Sequence, residues 1–535
     1  MRSRPNLPIG TQSFEVLRTN QNVYVDKTRF LYDLVTTGRV YFLSRPRRFG
    51  KSLLVTTLQA LFLGKKELFE NLWITQNTNY GFEEYPVLLF DLSMGGGKSV
   101  DELKMMLNQQ IDLIAERNHL VLEAEKYDLR FAELIRKLKE KTGKPVVILV
   151  DEYDKPILDN INNPEVGAIR DTLRQFYTII KASDAHLHFV FLTGVSKFSR
   201  VSVFSGLNNL KDISMDQRYA ALCGYTQEEL ESTFGEWIQE LSNEHDLSVE
   251  STLDKIREWY NGYQFSTKTI KVYNPFSTLL MFDSREFKPH WFETGTPSML
   301  IRLLETRNYP LNNLEQLIAT EEMFSVFDVE NLQVAPLFFQ TGYLTIQGYD
   351  PEYETYQLGY PNKEVRHAFL RLLLASYTSN SSMQGSIIQQ LSQSVREGTV
   401  ETFMEVLRSF FAGIPYDIQP SKDQREKERY YQSIFYVIFA LLGVHVKAEE
   451  RTSTGRIDAV IETENYIFIF EFKMASGDPD KICDTALQQI REHEYFVKYA
   501  QPGQQKNILL IGTAFDLDER GIVLWKTENM VEGHF

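Results

Sequence analysis

Arg45-Pro46-Arg47-Arg48-Phe49-Gly50-Lys51-Ser52 follows a short apolar run, Val40–Leu43, and opens a helical pattern. A turn in that setting offers backbone N–H groups of the loop and of the helix N-terminus to phosphate oxygens. On this reading Arg47, Arg48, Phe49, Gly50, Lys51 and Ser52 surround the phosphates of a nucleotide. Lys51 reaches the β- and γ-phosphates, and the Ser52 hydroxyl holds Mg²⁺. The first glycine of the usual G-x-x-x-x-G-K-[ST] spacing is Arg45 here, and Pro46 has no N–H to give. The cradle is therefore expected to be tighter or less complete, with Arg47 and Arg48 adding charge. A basic strand–helix turn without a ligand is the plain alternative.

A second element answers the first. Val146-Val147-Ile148-Leu149-Val150 is an apolar strand pattern that ends in Asp151-Glu152, about 100 residues after Lys51. Carboxylates at the C-terminal end of a buried strand sit where α/β sheets bind ligands. Asp151 would orient the Mg²⁺ shell and Glu152 would activate the attacking water. Thr193, at the end of a fourth strand pattern (His188–Thr193), is either a polar sensor of the γ-phosphate or an ordinary strand-end residue. Arg200 is either a second γ-phosphate sensor or a surface arginine.

The C-terminal end carries a different constellation. Gly455–Ile461 reads as a strand, Glu462–Asn465 as a turn, and Tyr466–Lys473 as a second strand. Period two places Glu471 and Lys473 on one face, with Asp458 opposite or diagonal to Glu471. Such charges are costly to bury unpaired. A structural Glu471–Lys473 pair is one solution. The other is a metal held by Asp458, Glu471 and the Phe472 carbonyl, all hard oxygen ligands suited to Mg²⁺ or Mn²⁺. Lys473 would then polarise a water or steady the charge growing on a phosphate. D-x₁₂-E-x-K is the pattern of PD-(D/E)xK nucleases, which often add an acid from a preceding helix. Glu428 is the candidate, or only a helix-start acid favoured by the dipole. Gln489 and Tyr495, on the helix that follows, either face the site or belong to a solvated helix face.

These residues need elements to hold them. The first 200 residues alternate apolar strand runs (Val40–Leu43, Val87–Leu92, Val146–Val150, His188–Thr193) with helical stretches, which argues for a parallel sheet covered by helices. Thr226 to Ser376 reads as mostly helical, and a charged stretch, Ser421 to Arg429, precedes a C-terminal α/β module. The expected domains are 1–225, 226–420 and 421–535.

Composition bounds the rest. The chain has 535 residues, 43% of them hydrophobic and 13% aromatic, ample for several cores. Its net charge of −15 excludes a simple polycation, yet residues 1–60 carry ten Lys/Arg against three Asp/Glu. Two cysteines, Cys223 and Cys483, make neither a disulfide framework nor a four-Cys zinc site. A reducing cytoplasm is the expected compartment. No signal peptide and no membrane span are expected, the longest uncharged apolar run being about Ile434–Val446.

Taken together, Tyr24-Val25-Asp26-Lys27-Thr28, the loop Arg45–Ser52, Asp151-Glu152-Tyr153-Asp154-Lys155-Pro156, Phe204–Asp212, Trp259–Tyr263 and Tyr273–Ser277 resemble the bacterial AAA-ATPase-like family. Members of that family commonly end in a PD-(D/E)xK domain, which Gly455–Asp458 and Glu471-Phe472-Lys473 resemble. The resemblance covers nearly the whole chain. It implies a P-loop ATPase core of the AAA type, a helical lid and middle region, and a restriction-endonuclease-like α/β end. ATP and Mg²⁺ are the implied cofactors, and nucleic acid, DNA foremost, the implied partner; a homo-oligomer is compatible with it. The expected function is nucleotide-gated, metal-dependent phosphodiester cleavage. The alternative is an ATP-driven regulatory switch whose nuclease-like end only binds nucleic acid or a protein. A small-molecule phosphotransferase explains the first 200 residues but not the C-terminal carboxylates.

Overall fold

Strands that are apolar along their whole length must be covered on both faces. Val40–Ser44 (β1), Val146–Asp151 (β3) and Leu187–Gly194 (β4) are such strands, and all but one of their residues are buried. With Val87–Asp91 (β2) and the short Lys211–Asp212 (β5) they form a parallel sheet in the order β2-β3-β4-β1-β5. The computed structural model describes residues 4–93, 98–197, 209–268, 270–291, 300–301, 304, 314, 317–325, 333–378, 384–414, 424–442, 445–451, 456–474, 477–493, 506–516, 519 and 521–530. The chain divides into two compact units, Met1–Thr296 with Gln316–Arg366, and Pro297–Glu315 with His367–Phe535.

In the first unit the helices Val100–Arg117, Tyr127–Thr142 and Val166–Ala182 pack together over the sheet. The rings of Phe90, Phe131 and Phe176 meet there at centroid distances of 4.5 to 5.2 Å. The helix Lys51–Phe62 packs against β2, β3 and β4. Strand order matters to the chemistry. Because β4 lies between β1 and β3, the loop after β1 and the acids after β3 are two strand spacings apart, about 10 Å. Lys51, at the start of the helix that follows the loop, reaches toward those acids.

The middle of the first unit is built from Gln227–Glu244, Val249–Tyr260 and Pro275–Ser284. Thr226 and Glu229 close a capping box on the first of these helices, so Asn- or Ser-type signals are unnecessary for its start. Phe234, Trp237, Ile256 and Phe282 share one core with Val23 and Val25 from the N-terminal segment. This region is not helical throughout. Leu317–Thr320 (β6), Thr345–Asp350 (β7) and Thr355–Gly359 (β8) form an antiparallel sheet in the order β6-β8-β7. The alternation of buried and exposed residues in β6 and β8 is a period-two signal that the helical reading of Thr226–Ser376 passed over. At the N-terminal helix Thr28–Thr37, Asp26 does the capping work: its Oδ1 accepts from the Thr28 N–H at 2.8 Å and the Thr28 hydroxyl at 2.7 Å.

The second unit holds a five-stranded mixed sheet. Its strands are His445–Arg451 (β9), Arg456–Glu462 (β10), Tyr466–Met474 (β11), Asn507–Asp516 (β12) and Gly521–Met530 (β13), in the order β13-β12-β11-β10-β9. Only β11 and β12 are parallel, joined through the helix Pro479–Glu492. Phe470 and Phe472 turn to the helix Gln424–Leu441, where Phe435 lies 4.2 Å from Phe472 and Phe439 lies 5.4 Å from Phe470. Ile467 and Ile469 turn the other way, into a core with Leu487 and Ile490. Cys223 and Cys483 are buried free thiols. Among the described residues no helix is long and apolar enough to cross a membrane.

Candidate functional site

The phosphate-type loop begins where β1 ends. Gly50 lies in the left-handed region (φ 88°) and caps the helix that starts at Lys51, and Arg48 is left-handed as well (φ 68°). Left-handed residues alternating with right-handed ones turn successive N–H groups toward one concavity, an arrangement that suits an anion. Lys51 is 4% exposed. Its Nζ donates to the Pro46 carbonyl at 3.1 Å and lies 3.6 Å from Glu152 Oε1. The structure thus brings the loop and the acids after β3 together around one ammonium group.

Those acids are unequal. Asp151 is nearly buried, and its carboxyl is pushed up to about 6, chiefly by burial. A hydrogen bond from Ser52 opposes this, Glu152 and Asp91 add to it, and Lys51 relieves it. A nearly buried carboxylate that touches a hydroxyl and has only one ammonium nearby is short of positive charge. Glu152 adopts a left-handed backbone (φ 52°), which a non-glycine residue holds only when its surroundings impose it. Asp91, at the end of β2, pairs in register with Asp151. The sequence signal for it was present, since Val87–Phe90 ends in Asp91 as Val146–Val150 ends in Asp151.

Asp154 has a different role. It is fully buried and accepts from the N–H groups of Val195 (3.1 Å) and Ser196 (2.6 Å) and from the Ser196 hydroxyl. It ties the turn after β3 to the end of β4. A Cβ on Gly194 would lie 2.3 Å from Asp154 Oδ1, so only glycine admits this contact. Thr193 is also fully buried, and its hydroxyl donates to the Leu43 carbonyl at 3.0 Å, a bond between β4 and β1. Arg200 lies outside the described residues.

The other loop residues spread in several directions. Arg47 gives its carbonyl to the Trp291 indole N–H at 3.2 Å. Arg48 holds its guanidinium over the Phe276 ring at 4.7 Å. Phe49 is buried edge-on against Tyr263 (4.8 Å) and Phe265 (5.4 Å), so its side chain anchors the loop. Arg45, the residue in place of the first glycine, turns wholly away from the cradle. It is 1% exposed, lies 4.2 Å over Phe265, and donates to the carbonyls of Ser44 (2.9 Å), Ser214 (2.7 Å) and Tyr219 (3.2 Å). Burial pushes it down to about 10, so it stays charged at neutral pH.

A testable consequence follows from Arg45. Arg45→Gly restores the commoner spacing but orphans three carbonyls and leaves a cavity. We expect a loss of about 3 kcal/mol of stability, read as a fall in Tm, with no gain in nucleotide affinity.

Beside Gly50 opens a small cleft. Tyr24, Val25, Leu53, Leu222, Cys223 and Tyr225 line it, so its walls are mainly apolar. No motif in the sequence announced it, because its walls come from four separate stretches of chain.

In the second unit Glu471 and Lys473 share one face of β11, and Lys473 Nζ lies 3.0 Å from Glu471 Oε1. Glu471 is 2% exposed. Lys473 also donates to Gln489 Oε1, which places Gln489 at this cluster. The β10–β11 pairing sets Ala459 opposite Phe470, which brings the Asp458 position opposite Glu471. Asp458 and Glu428 lie on described backbone, in β10 and in the helix Gln424–Leu441, but their side chains are outside the described residues, as is all of Tyr495. Phe472 sends its ring to Phe435, 4.2 Å away.

Both sites present hard oxygen donors. Among the described residues no three His, Cys, Asp or Glu side chains gather into a cage. Oxygen donors of this kind suit Mg²⁺, which takes one or two carboxylates and leaves the remaining positions to phosphate oxygens and water.

Two family models match the chain: "Predicted AAA-ATPase" over residues 8–204 and "PD-(D/E)XK nuclease superfamily" over residues 426–525. A protein of Azotobacter chroococcum mcd 1, described as an uncharacterized protein in the vnfD 5' region, is 41% identical over 537 residues, spanning 99% of this chain and 100% of that protein.

Proposed function

The chain belongs to the predicted AAA-ATPase family, with a PD-(D/E)XK nuclease-superfamily domain at its C-terminal end, and from that premise we propose an ATP-binding and ATP-hydrolysing protein whose nucleotide state gates metal-dependent cleavage of DNA. The observation that carries this reading is the meeting of Lys51 with Glu152, beside Asp151 and Ser52, at the start of a helix. In it residues 1–225 form the ATPase core, 226–420 a lid and middle region, and 421–535 the nuclease.

At the first site the N–H groups of the loop and Lys51 hold the phosphates, and the mainly apolar cleft beside Gly50 takes the base. Ser52 and Asp151 hold Mg²⁺, which when bound neutralises charge on the β- and γ-phosphates. Glu152 takes a proton from water as the water oxygen bonds to the γ-phosphorus and the bond to ADP breaks. At the second site Asp458, Glu471 and the Phe472 carbonyl hold the metal, with Glu428 an additional ligand. Lys473 orients the attacking water and steadies the phosphate charge. There the water oxygen bonds to phosphorus, one P–O ester bond breaks, and the leaving oxygen takes up a proton.

A second reading is a regulatory switch in which the C-terminal fold binds nucleic acid or a protein without cutting. Its support is that Lys473 turns two of its donors to Glu471 and Gln489, and that residues 421–535 carry 14 Lys/Arg against 19 Asp/Glu. The deciding experiment incubates the purified protein with plasmid and linear DNA, with Mg²⁺ or Mn²⁺, with and without ATP. Cleavage that responds to ATP and changes in Lys51→Ala supports the gated nuclease. Stoichiometric Mg·ATP binding with no cleavage under any condition supports the switch.

A further inference from the structure

The phosphate loop is gripped from outside by residues far away in the chain. The Trp291 indole N–H donates to the Arg47 carbonyl at 3.2 Å, and Asn274 Nδ2 approaches the same oxygen at 3.5 Å. Trp291 is 4% exposed and stacks edge-on with Tyr343 at 5.1 Å. Its own backbone N–H is taken by Glu364 Oε1 at 2.7 Å. Glu364 is fully buried, and burial pushes its carboxyl up to about 8. No cation is bonded to it among the described residues. A buried acid kept without a counter-charge is a cost that packing alone does not require.

Peptide geometry turns this grip into a consequence for ligand binding. The 47–48 peptide is trans, as are all peptides described here. In a trans peptide the carbonyl of one residue and the N–H of the next point in opposite directions. The Pro46 carbonyl faces Lys51 Nζ, inside the turn, whereas the Arg47 carbonyl faces Trp291 and Asn274, outside it. The Arg48 N–H therefore points inward, and nothing among the described residues accepts from it. The left-handed conformations of Arg48 and Gly50 curve the following N–H groups toward the same side.

We infer that Trp291, held by Glu364, is a positioning residue for the phosphate loop: by taking the Arg47 carbonyl it fixes the Arg48 N–H as a donor to the phosphates of the nucleotide. Asn274, which also caps the helix Pro275–Ser284 through its Oδ1, secures the same carbonyl. The departure of Arg45 and Pro46 from the usual loop explains the need. Pro46 offers no N–H and Arg45 faces away, so each remaining donor counts for more.

The inference rests on the nucleotide-binding reading, and the test separates the two. The full chain is titrated with Mg·ATP by calorimetry, and steady-state hydrolysis gives kcat and KM. Failure of the wild-type protein to bind Mg·ATP overturns the nucleotide reading and with it this inference. With wild-type binding in hand, Trp291→Phe, which keeps a ring and removes the donor, is expected to weaken Mg·ATP about tenfold. KM rises accordingly and kcat changes less than twofold, the signature of lost ground-state binding. Glu364→Ala is expected to follow Trp291→Phe, and Glu364→Gln, which keeps an acceptor for the Trp291 N–H, to recover most of the affinity. Trp291→Phe within twofold of wild type in affinity and KM overturns the inference. If Trp291→Phe folds poorly by circular dichroism, the Glu364→Ala and Glu364→Gln pair decides: equal affinities overturn it.

Discussion

Lys473→Ala is expected to lower metal-dependent DNA cleavage by roughly 10³-fold while Mg·ATP binding stays within twofold of wild type. The ammonium group of Lys473 lies 3.0 Å from a buried Glu471 carboxylate, on the strand where the Asp458 position comes into register. Lys473 is the one lysine or arginine in the strand Tyr466–Met474 itself. The substitution also leaves Glu471 without its cation, so Tm must be measured beside activity. A stable Lys473→Ala protein that still cuts removes Lys473 from the chemistry. Lys473→Ala without activity but with wild-type nucleotide binding also establishes that the two sites are separable.

Glu152→Gln should leave Mg·ATP bound and reduce its hydrolysis by about 10²- to 10⁴-fold, the range of a lost general base. The amide keeps the size of the side chain and its place 3.6 Å from Lys51, but cannot take a proton from water. Single-turnover hydrolysis with trapped nucleotide is the measurement, and hydrolysis near the wild-type rate assigns the base elsewhere. The neighbouring Asp151 adds a pH dependence. Its carboxyl is raised to about 6, so it protonates as pH falls through that value and no longer serves Mg²⁺. Metal-dependent hydrolysis should therefore decline as pH drops below about 6, and saturating Mg²⁺ should move the decline to lower pH. If gating is real, Glu152→Gln also holds the nuclease in its ATP-bound level of activity.

Much of this arrangement is written in short stretches of chain. Period-two alternation places Glu471 and Lys473 on one strand face, and a tight turn sets the register that carries Asp458 toward Glu471. Apolar strands that end in acids, Asp151 and Glu152, and a strand–turn–helix with Lys51-Ser52 are equally local signals. The small sheet β6-β8-β7 was harder to see, because its strands are only four to six residues long and sit among helices.

Local pattern determines which residues can pair with a neighbour a few positions away, and for that reason the amino-acid sequence alone established β1 to β4, β10 and β11, the phosphate-type turn and the carboxylate–lysine hairpin. Contacts between residues 73 to 244 apart leave no such pattern, and only the tertiary structure decided them. Leu43 took the Thr193 hydroxyl across β1 and β4. Ser214 and Tyr219 drew Arg45 out of the cradle, because a buried guanidinium must spend its donors on carbonyls wherever the fold brings them. Trp291 reached the phosphate loop, and Glu364 reached Trp291, by the same rule: a buried N–H finds an acceptor by proximity in space, whatever the distance along the chain.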